Sequence, residues 1–319
     1  MGAISGGDFN RPSTLTSFQR KSVFARGQAF RKGREKTMDD LLRRLVAFAE
    51  GDENVRAVLL EGSRADPHGA IDEWSDYDVA FVTHSNEPYL RAEWFAGFVS
   101  QFGEVALAQT PDDPALFDDA HDPLEHYAYL TQYADGLRLD LTFETVAYVR
   151  GVTLESATAV LVDKDGQFAH VDPSDRDYWV KLPGGGAFHG CCNEFWWTAP
   201  YVAKSVARGQ TIAALELLGK VVRPQFAQML TWLAGANGGP ATIVGKHGTD
   251  VGAHVPAELY GALLASYPRA DLAEIRFAMD ELVRAFPSVA QGVANVLGYV
   301  YDAREGERAS AFLVSNFRV

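Results

Sequence analysis

Two aspartates, Asp76 and Asp78, open an apolar segment and are the side chains of this sequence best placed to do chemistry. The apolar run over residues 79–83 predicts a β-strand, and residues i and i+2 of a strand project to the same side. Adjacent carboxylates repel each other unless a cation lies between them. Magnesium takes oxygen ligands and leaves positions for substrate phosphates, so the pair predicts a magnesium site.

A Gly-Ser turn comes before this pair, directly after another apolar strand predicted over residues 55–60. Gly62 and Ser63 would present backbone N–H groups and a hydroxyl at the end of that strand, an arrangement that can hold phosphates. Each feature alone is common, because most Gly-Ser pairs are only turns and most Asp-x-Asp pairs begin a solvated strand. Their ordered combination predicts a site for Mg-ATP.

A third carboxylate, Asp140, lies in a segment of strict apolar and polar alternation over residues 137–145. This segment and residues 127–133 predict a hairpin, with Asp140 in the middle of its second strand. A carboxylate among apolar neighbours is costly unless it is paired. We favour a role as third metal ligand, and an ion pair with Arg138 on the same strand face is the alternative.

One predicted helix, over residues 191–204, carries an unusual polar and aromatic stripe. At helical spacing one face presents four side chains: Glu194, Trp197, Tyr201 and Lys204. Such a face suits a sugar or a base, whereas Trp196 is predicted to lie in the core. His121 and His126, which flank part of a Pro- and Asp-rich loop, are interpreted as solvated loop residues, with metal ligation as the alternative.

The remaining sequence predicts a second half that is rich in helices. Further helices are expected from Thr37 and Pro88 and over residues 210–234, 256–265, 272–286 and 289–302. Residues 1–36 are rich in Arg and Lys and predict a flexible basic extension. The two cysteines, Cys191 and Cys192, are sequence neighbours and cannot form a disulfide framework.

The net charge of −13 argues against a nucleic-acid partner and favours cationic small molecules. No apolar run reaches the roughly 18 residues that a membrane span needs, and no signal peptide is recognised. We therefore expect a cytoplasmic, monomeric protein with no membrane partner.

The order strand, Gly-Ser, spacer, Asp-x-Asp, strand resembles the nucleotidyltransferase superfamily related to DNA polymerase β. Six segments, in this order, resemble the aminoglycoside 6-adenylyltransferases more closely: Leu60-Glu61-Gly62-Ser63-Arg64-Ala65, Asp76-Tyr77-Asp78, Leu139-Asp140-Leu141-Thr142, Leu161-Val162-Asp163-Lys164-Asp165, Cys191-Cys192-Asn193-Glu194-Phe195-Trp196 and Val244-Gly245-Lys246. The resemblance extends over residues 38–290.

The resemblance implies an α+β protein, with a polymerase-β-like mixed sheet and flanking helices followed by an all-α helical bundle. A nucleotidyltransferase domain would cover residues 37–172 and a helical substrate-binding domain residues 173–319. The implied reaction transfers AMP from Mg-ATP to a hydroxyl of streptomycin or a similar aminoglycoside and releases pyrophosphate.

The resemblance also implies a role for each residue of the site. Asp76 and Asp78 would hold magnesium, with Asp140 as third ligand or as the group that helps to deprotonate the attacking hydroxyl. Gly62 and Ser63 would grip the β- and γ-phosphates, and Arg64 or Lys204 would neutralise their charge. The acceptor would contact Glu194, Trp197, Tyr201 and His189.

One departure concerns the acceptor. The family pattern has acidic residues just before Cys-Cys-Asn-Glu, where this chain has His189-Gly190. His189 or Glu194 could then serve as the base. The alternatives are a nucleotidyltransferase with a different small-molecule or protein acceptor, and a non-catalytic nucleotide-binding regulatory member.

Overall fold

The computed structural model describes residues 40–69, 71–118 and 121–317. The chain divides into two compact units, of which the first ends at Asp177 and the second begins at Tyr178. The predicted basic extension over residues 1–36 and the predicted helix start at Thr37 lie outside the described residues.

The first unit is built on a six-stranded mixed sheet in the order β3-β4-β5-β2-β1-β6. The strands are β1 (Val55–Glu61), β2 (Tyr77–Thr83), β3 (Val105–Gln109), β4 (His126–Tyr133), β5 (Arg138–Thr145) and β6 (Thr158–Asp163). All neighbouring strands pair antiparallel except β2 and β5, which pair parallel. A parallel pair needs a long crossover connection, and the chain between β2 and β5 supplies it with a helix and two strands.

The two faces of the sheet differ in composition. One face packs against helix α1 (residues 40–51) and helix α2 (Ala92–Val99) through a cluster of aromatic rings that includes Phe48, Phe81 and Phe98. Strand residues alternate between faces, so Asp78 shares the opposite face with Ala80 and Val82. That opposite face carries a smaller apolar cluster, so the Asp78 carboxylate lies beside a smaller hydrophobic core than the one on the aromatic face.

Helix α3 (Val146–Gly151) follows β5 directly and was not predicted. Its start is capped by Thr145, whose hydroxyl oxygen accepts a hydrogen bond from the backbone N–H of Tyr148 at 3.2 Å. Thr145 is the last residue of the strand predicted over residues 137–145, and the β-branched and aromatic side chains that follow it also favour strands. The short helix exists through this cap and through the buried Val149.

The second unit is helical. Its helices are α4 (Gly185–Ala207), α5 (Thr211–Leu217), a π-helical segment (Leu218–Val222), α6 (Arg223–Gly238), α7 (Ala257–Ala265), α8 (Leu272–Leu297) and α9 (Ala303–Phe317). Together with the mixed sheet of the first unit, this all-helical second unit confirms the predicted α+β class. Among the described helices, none is both long enough and apolar enough to cross a membrane.

In the second half one prediction is wrong and one helix has no counterpart among the predictions. Separate helices were expected over residues 272–286 and 289–302, but α8 runs through Pro287 without interruption. Proline removes one backbone hydrogen bond and usually ends or kinks a helix. Here Phe286 and Val289 are both fully buried on one continuous apolar face, and this packing outweighs the local preference. Helix α9 was not predicted at all.

Candidate active site

The parallel pairing of β2 with β5 brings the predicted carboxylates together. Asp78 and Asp140 are register partners across the two strands, and Asp76 lies two residues before Asp78. Arg138 contacts both outer members of the group, because its Nη1 lies 3.4 Å from Asp76 Oδ2 and its Nη2 lies 2.8 Å from Asp140 Oδ2. The three aspartates therefore form one cluster in the first unit.

The cluster is electrostatically strained without a cation. Burial, followed by the negative charges of Asp140 and Asp76, raises the pKa of Asp78 to about 6, while Arg138 acts in the opposite direction. Carboxylates that repel one another in this way favour a bound cation. The donor set consists of oxygen atoms, which suits magnesium.

Arg138 is the partner of Asp140 in this structure. Its Nε and Nη2 donate to the Asp140 carboxylate at 3.2 and 2.8 Å, and these hydrogen bonds raise the pKa of Arg138. The ion pair that the sequence offered as the alternative is thus present. The Arg138 side chain is 41% exposed, so it can move away from Asp140 when another cation or a phosphate binds nearby.

The turn after β1 faces the same carboxylates. Gly62 begins a single 3-10 turn, Gly62–Arg64, and has a φ of +67°, a conformation that only glycine adopts at little cost. A Cβ atom at Gly62 would lie 2.8 Å from Asp78 Oδ2. Glycine therefore allows the backbone to lie close to the Asp78 carboxylate, where any larger residue would clash. Ser63 is exposed in the same turn.

Arg64 holds the backbone that leads into β2. Its Nε donates to the carbonyl oxygen of Asp76 at 2.9 Å and its Nη2 to that of Ser75 at 2.7 Å. The guanidinium also lies 3.8 Å from the centre of the Tyr77 ring, and burial lowers its pKa. These contacts position Asp76. Contact of Arg64 with phosphate stays a prediction.

A further acid, Glu61, was missed by the sequence reasoning. It is the last residue of β1 and the register partner of Asp78. Burial, and then the charges of Glu144, Glu155 and Asp78, raise its pKa to about 7. The sequence feature that could have identified Glu61 is its position as the charged last residue of an apolar strand, directly before Gly62. A carboxyl group with this pKa can exchange a proton near neutral pH.

The predicted acceptor residues all lie on α4 in the second unit and are exposed, namely His189, Glu194, Trp197 and Tyr201. Lys204, predicted to neutralise phosphate charge, is exposed on the same helix. Trp197, Tyr201 and Lys204 line a cavity of about 890 Å³. The lining does not include Glu194 or His189.

The cavity combines aromatic rings with charged side chains, of which three are basic and one is acidic. Trp197 is 65% exposed, and Arg208, Arg308 and Glu305 join Lys204 in the lining. Trp196 also borders the cavity, but it is buried and donates from its ring nitrogen to the Tyr301 hydroxyl at 3.2 Å. The prediction that Trp196 belongs to the core is confirmed. The exposed face of α4 suits a ligand with a flat ring and an anionic group.

Comparison with known proteins identifies the family. A family model described as streptomycin adenylyltransferase matches residues 35–315. The chain is 32% identical to an aminoglycoside 6-adenylyltransferase of Staphylococcus aureus over 235 residues, which cover 73% of this chain and 82% of the relative. It is 28% identical to an aminoglycoside 6-adenylyltransferase of Campylobacter jejuni over 282 residues, covering 88% and 94% of the two chains.

A solved structure also aligns with the chain. The crystal structure of an aminoglycoside 6-adenyltransferase from Bacillus subtilis shares 25% identity with a TM-score of 0.42, and the match covers 85% of this chain and 95% of that one. The matched family region contains the whole aspartate cluster and all of α4. The resemblance inferred from the sequence is confirmed, and the chain belongs to the streptomycin adenylyltransferase family.

Proposed function

We propose that the protein transfers AMP from Mg-ATP to a hydroxyl group of streptomycin or a similar aminoglycoside and releases pyrophosphate. The observation that carries this proposal is the cluster of Asp76, Asp78 and Asp140 beside the Gly62 turn. Family membership supports the type of reaction. The acidic chain, with a net charge of −13, favours a polycationic acceptor by long-range attraction.

In the proposed reaction the acceptor hydroxyl oxygen attacks the α-phosphorus of ATP. A new P–O bond forms, the bond from the α-phosphorus to the bridging oxygen breaks, and pyrophosphate leaves with the electron pair. The hydroxyl proton passes to a protein base. Magnesium bound by Asp76, Asp78 and Asp140 would lower the pKa of the nucleophile and neutralise charge on the phosphates.

Different residues of the chain bind the phosphates, balance charge and accept the proton in the proposed reaction. The backbone of Gly62 and the hydroxyl of Ser63 hold the β- and γ-phosphates. Arg138 balances the aspartate charges before the nucleotide binds and then turns toward a phosphate. Asp140 serves as third metal ligand or accepts the hydroxyl proton, and we assign Glu61 as a second proton acceptor because its pKa lies at about 7.

The exposed face of α4 is assigned to the substrates. Trp197 and Tyr201 offer flat apolar faces, on which sugar and base rings stack. Lys204 lies beside them in a cavity that also holds Arg208 and Arg308, so we assign Lys204 to the phosphates. Glu194 and His189 are exposed on the same helix and are assigned to the cationic acceptor.

The test is pyrophosphate release by the purified protein with ATP and magnesium, with and without streptomycin, followed by the mass of the product. Release that depends on streptomycin, together with a product heavier by one AMP, is the expected result. Asp78→Asn should abolish this signal while it preserves the circular dichroism spectrum.

A second acceptor class is favoured by one specific observation, the pair His189-Gly190 directly before Cys191, where the resemblance described above implies acidic residues. Binding of Mg-ATP without streptomycin-dependent release would move the proposal to another small molecule or to a protein acceptor. Failure to bind Mg-ATP, measured by calorimetry on the folded protein, would contradict the proposed function as a whole.

A further inference from the structure

A second group of metal-binding side chains lies in the first unit, where the loop between β3 and β4 meets the sheet. Asp112 and His121 come from the loop and His126 opens β4. The sequence predicts solvated loop positions for both histidines. For His126 this is wrong, since it is a strand residue whose side chain is only 17% exposed.

The three side chains converge on one point. His121 Nδ1 lies 2.8 Å from Asp112 Oδ1, and His126 Nδ1 lies 3.2 Å from Asp112 Oδ2. The centres of the two imidazole rings are 4.5 Å apart. One ligand atom from each residue lies within 4.8 Å of the other two. The histidines thus approach the same carboxylate from two sides.

The polar atoms of this group are not fully satisfied by the protein. The Asp112 side chain is 6% exposed, and its Oδ2 accepts the backbone N–H of Ala128 at 2.9 Å. His126 Nδ1 is buried and makes no hydrogen bond to any described residue, although Asp112 Oδ2 is near. A buried nitrogen whose neighbour is a carboxylate oxygen needs a proton or a cation between the two.

A carboxylate of the facing strand completes the arrangement. Glu144 is the register partner of His126, and its Oε1 lies 3.5 Å from His126 Nε2. Metal-bound histidines commonly direct their second ring nitrogen toward a carboxylate, which orients the ring and increases its basicity. Glu144 is placed for this role when the Nδ1 side of His126 faces the metal.

We propose that Asp112, His121 and His126 form a binding site for a divalent transition metal, with Zn²⁺ as the best match. Two imidazole nitrogens and one carboxylate oxygen are zinc ligands, whereas Mg²⁺ and Ca²⁺ prefer oxygen alone. The fourth position would hold water. Bonds of about 2.0–2.2 Å place tetrahedral ligands roughly 3.3–3.5 Å apart. The two histidine nitrogens lie 2.8 and 3.2 Å from the Asp112 oxygens, so these contacts must open slightly to admit the metal. His121 is a loop residue with a side chain 55% exposed and can make this movement.

The proposed zinc site is separate from the aspartate cluster. Glu144 follows Asp140 by four residues on β5, a distance of about 13 Å along a strand. Bound metal would fasten the loop around Asp112 to the start of β4. Its expected contribution is therefore to the stability of the first unit.

The test is a zinc titration of the chain without an affinity tag, after removal of metals, with millimolar Mg²⁺ present to occupy the aspartates. Competition with a chromophoric chelator gives the stoichiometry and the affinity. Wild type is expected to bind one equivalent, and Zn²⁺ at a hundredfold excess over its Kd should raise the Tm by about 5–10 °C.

Two ligand variants and one matched control decide the outcome. His121→Ala removes an exposed loop ligand and should weaken zinc binding by at least about 100-fold, since even the loss of an outer partner costs 10–100-fold. His126→Gln should have the same effect. His254→Ala removes an exposed histidine of the second unit and should bind like wild type.

The proposal is overturned if wild type and His121→Ala bind zinc with equal affinity, or if His254→Ala loses binding to the same extent as His121→Ala. Should His126→Gln fail to fold, His121→Ala alone decides. Asp78→Asn should retain the zinc site, and loss of zinc binding in that variant would also overturn the proposal because the metal would then lie at the aspartates.

Discussion

Replacement of Asp78 by asparagine should stabilise the metal-free protein while it abolishes transfer. Asp78 lies opposite Asp140 and close to Gly62, and its ionised form is disfavoured by burial and by the two neighbouring aspartates. Asparagine keeps the shape of the side chain and removes the charge. The variant therefore separates the electrostatic cost of the cluster from its function.

The magnitude follows from the pKa of Asp78, which rises from its usual 3.8 to about 6. A shift of roughly two units corresponds to an upper limit of about 3 kcal/mol, and solvent screening of a partly exposed side chain lowers this to on the order of 1–2 kcal/mol. Because the folded state binds the proton more tightly than the unfolded state, the free energy of unfolding decreases as the pH rises from about 4 to about 6. Asp78→Asn should thus exceed wild type in stability by about 1–2 kcal/mol at pH 8 and match it at pH 4.

The assay is urea unfolding with EDTA at pH 4, 6 and 8, followed by turnover with Mg-ATP and acceptor. Asp118→Asn removes an exposed loop carboxylate and should change neither stability nor turnover. Loss of a metal ligand should lower turnover by about 10³-fold or more, equivalent to several kcal/mol of transition-state stabilisation. A variant that is destabilised equally at all three pH values, or that retains wild-type turnover, would refute the reasoning.

Three other changes test the site. Gly62→Ala should reduce turnover in a steady-state assay by about 10²-fold, because residue 62 has a φ of +67° and an added Cβ would displace the Asp78 carboxylate. The control is Gly97→Ala, because the space around Gly97 is open. Glu61→Gln should remove an inflection near pH 7 from the pH profile of kcat/KM, since burial holds the pKa of Glu61 at about 7. An unchanged profile would exclude Glu61 as a base. Trp197→Ala should raise the KM of a substrate and leave the Tm unchanged, whereas Trp196→Ala should destabilise the protein by about 3–5 kcal/mol in chemical unfolding. Equal effects of the two changes on the Tm would contradict the assignment of Trp197 to substrate binding.

Short-range patterns in the sequence determined much of the fold. Apolar runs located β1 and β2 to within about two residues, and alternation with a period of two placed Asp140 on the polar face of β5. The 3.6-residue period placed Trp197, Tyr201 and Lys204 on one side of α4. These patterns are readable because each depends only on the geometry of a single element.

The closest contacts within the candidate site could be found only from the tertiary structure. Nothing in the local pattern requires β2 and β5 to pair parallel, which is what sets Asp78 opposite Asp140. The same pairing brings Arg138 to Asp76, and the antiparallel pairing of β1 with β2 sets Glu61 beside Asp78. The pKa values of these acids follow from burial and from neighbours distant in sequence, so no single segment encodes them.

By itself, then, the sequence determined most of the element types, the helical stripe and the family, through motifs whose spacing is local; α3 and α9 are the exceptions. Only the tertiary structure decided that Gly62 faces Asp78, that α8 continues through Pro287, and that His126 lies partly buried beside Asp112. Each of these outcomes depends on which elements pack together. Packing free energy is summed over contacts distant in the chain, and it outweighs the local preferences that a sequence pattern records.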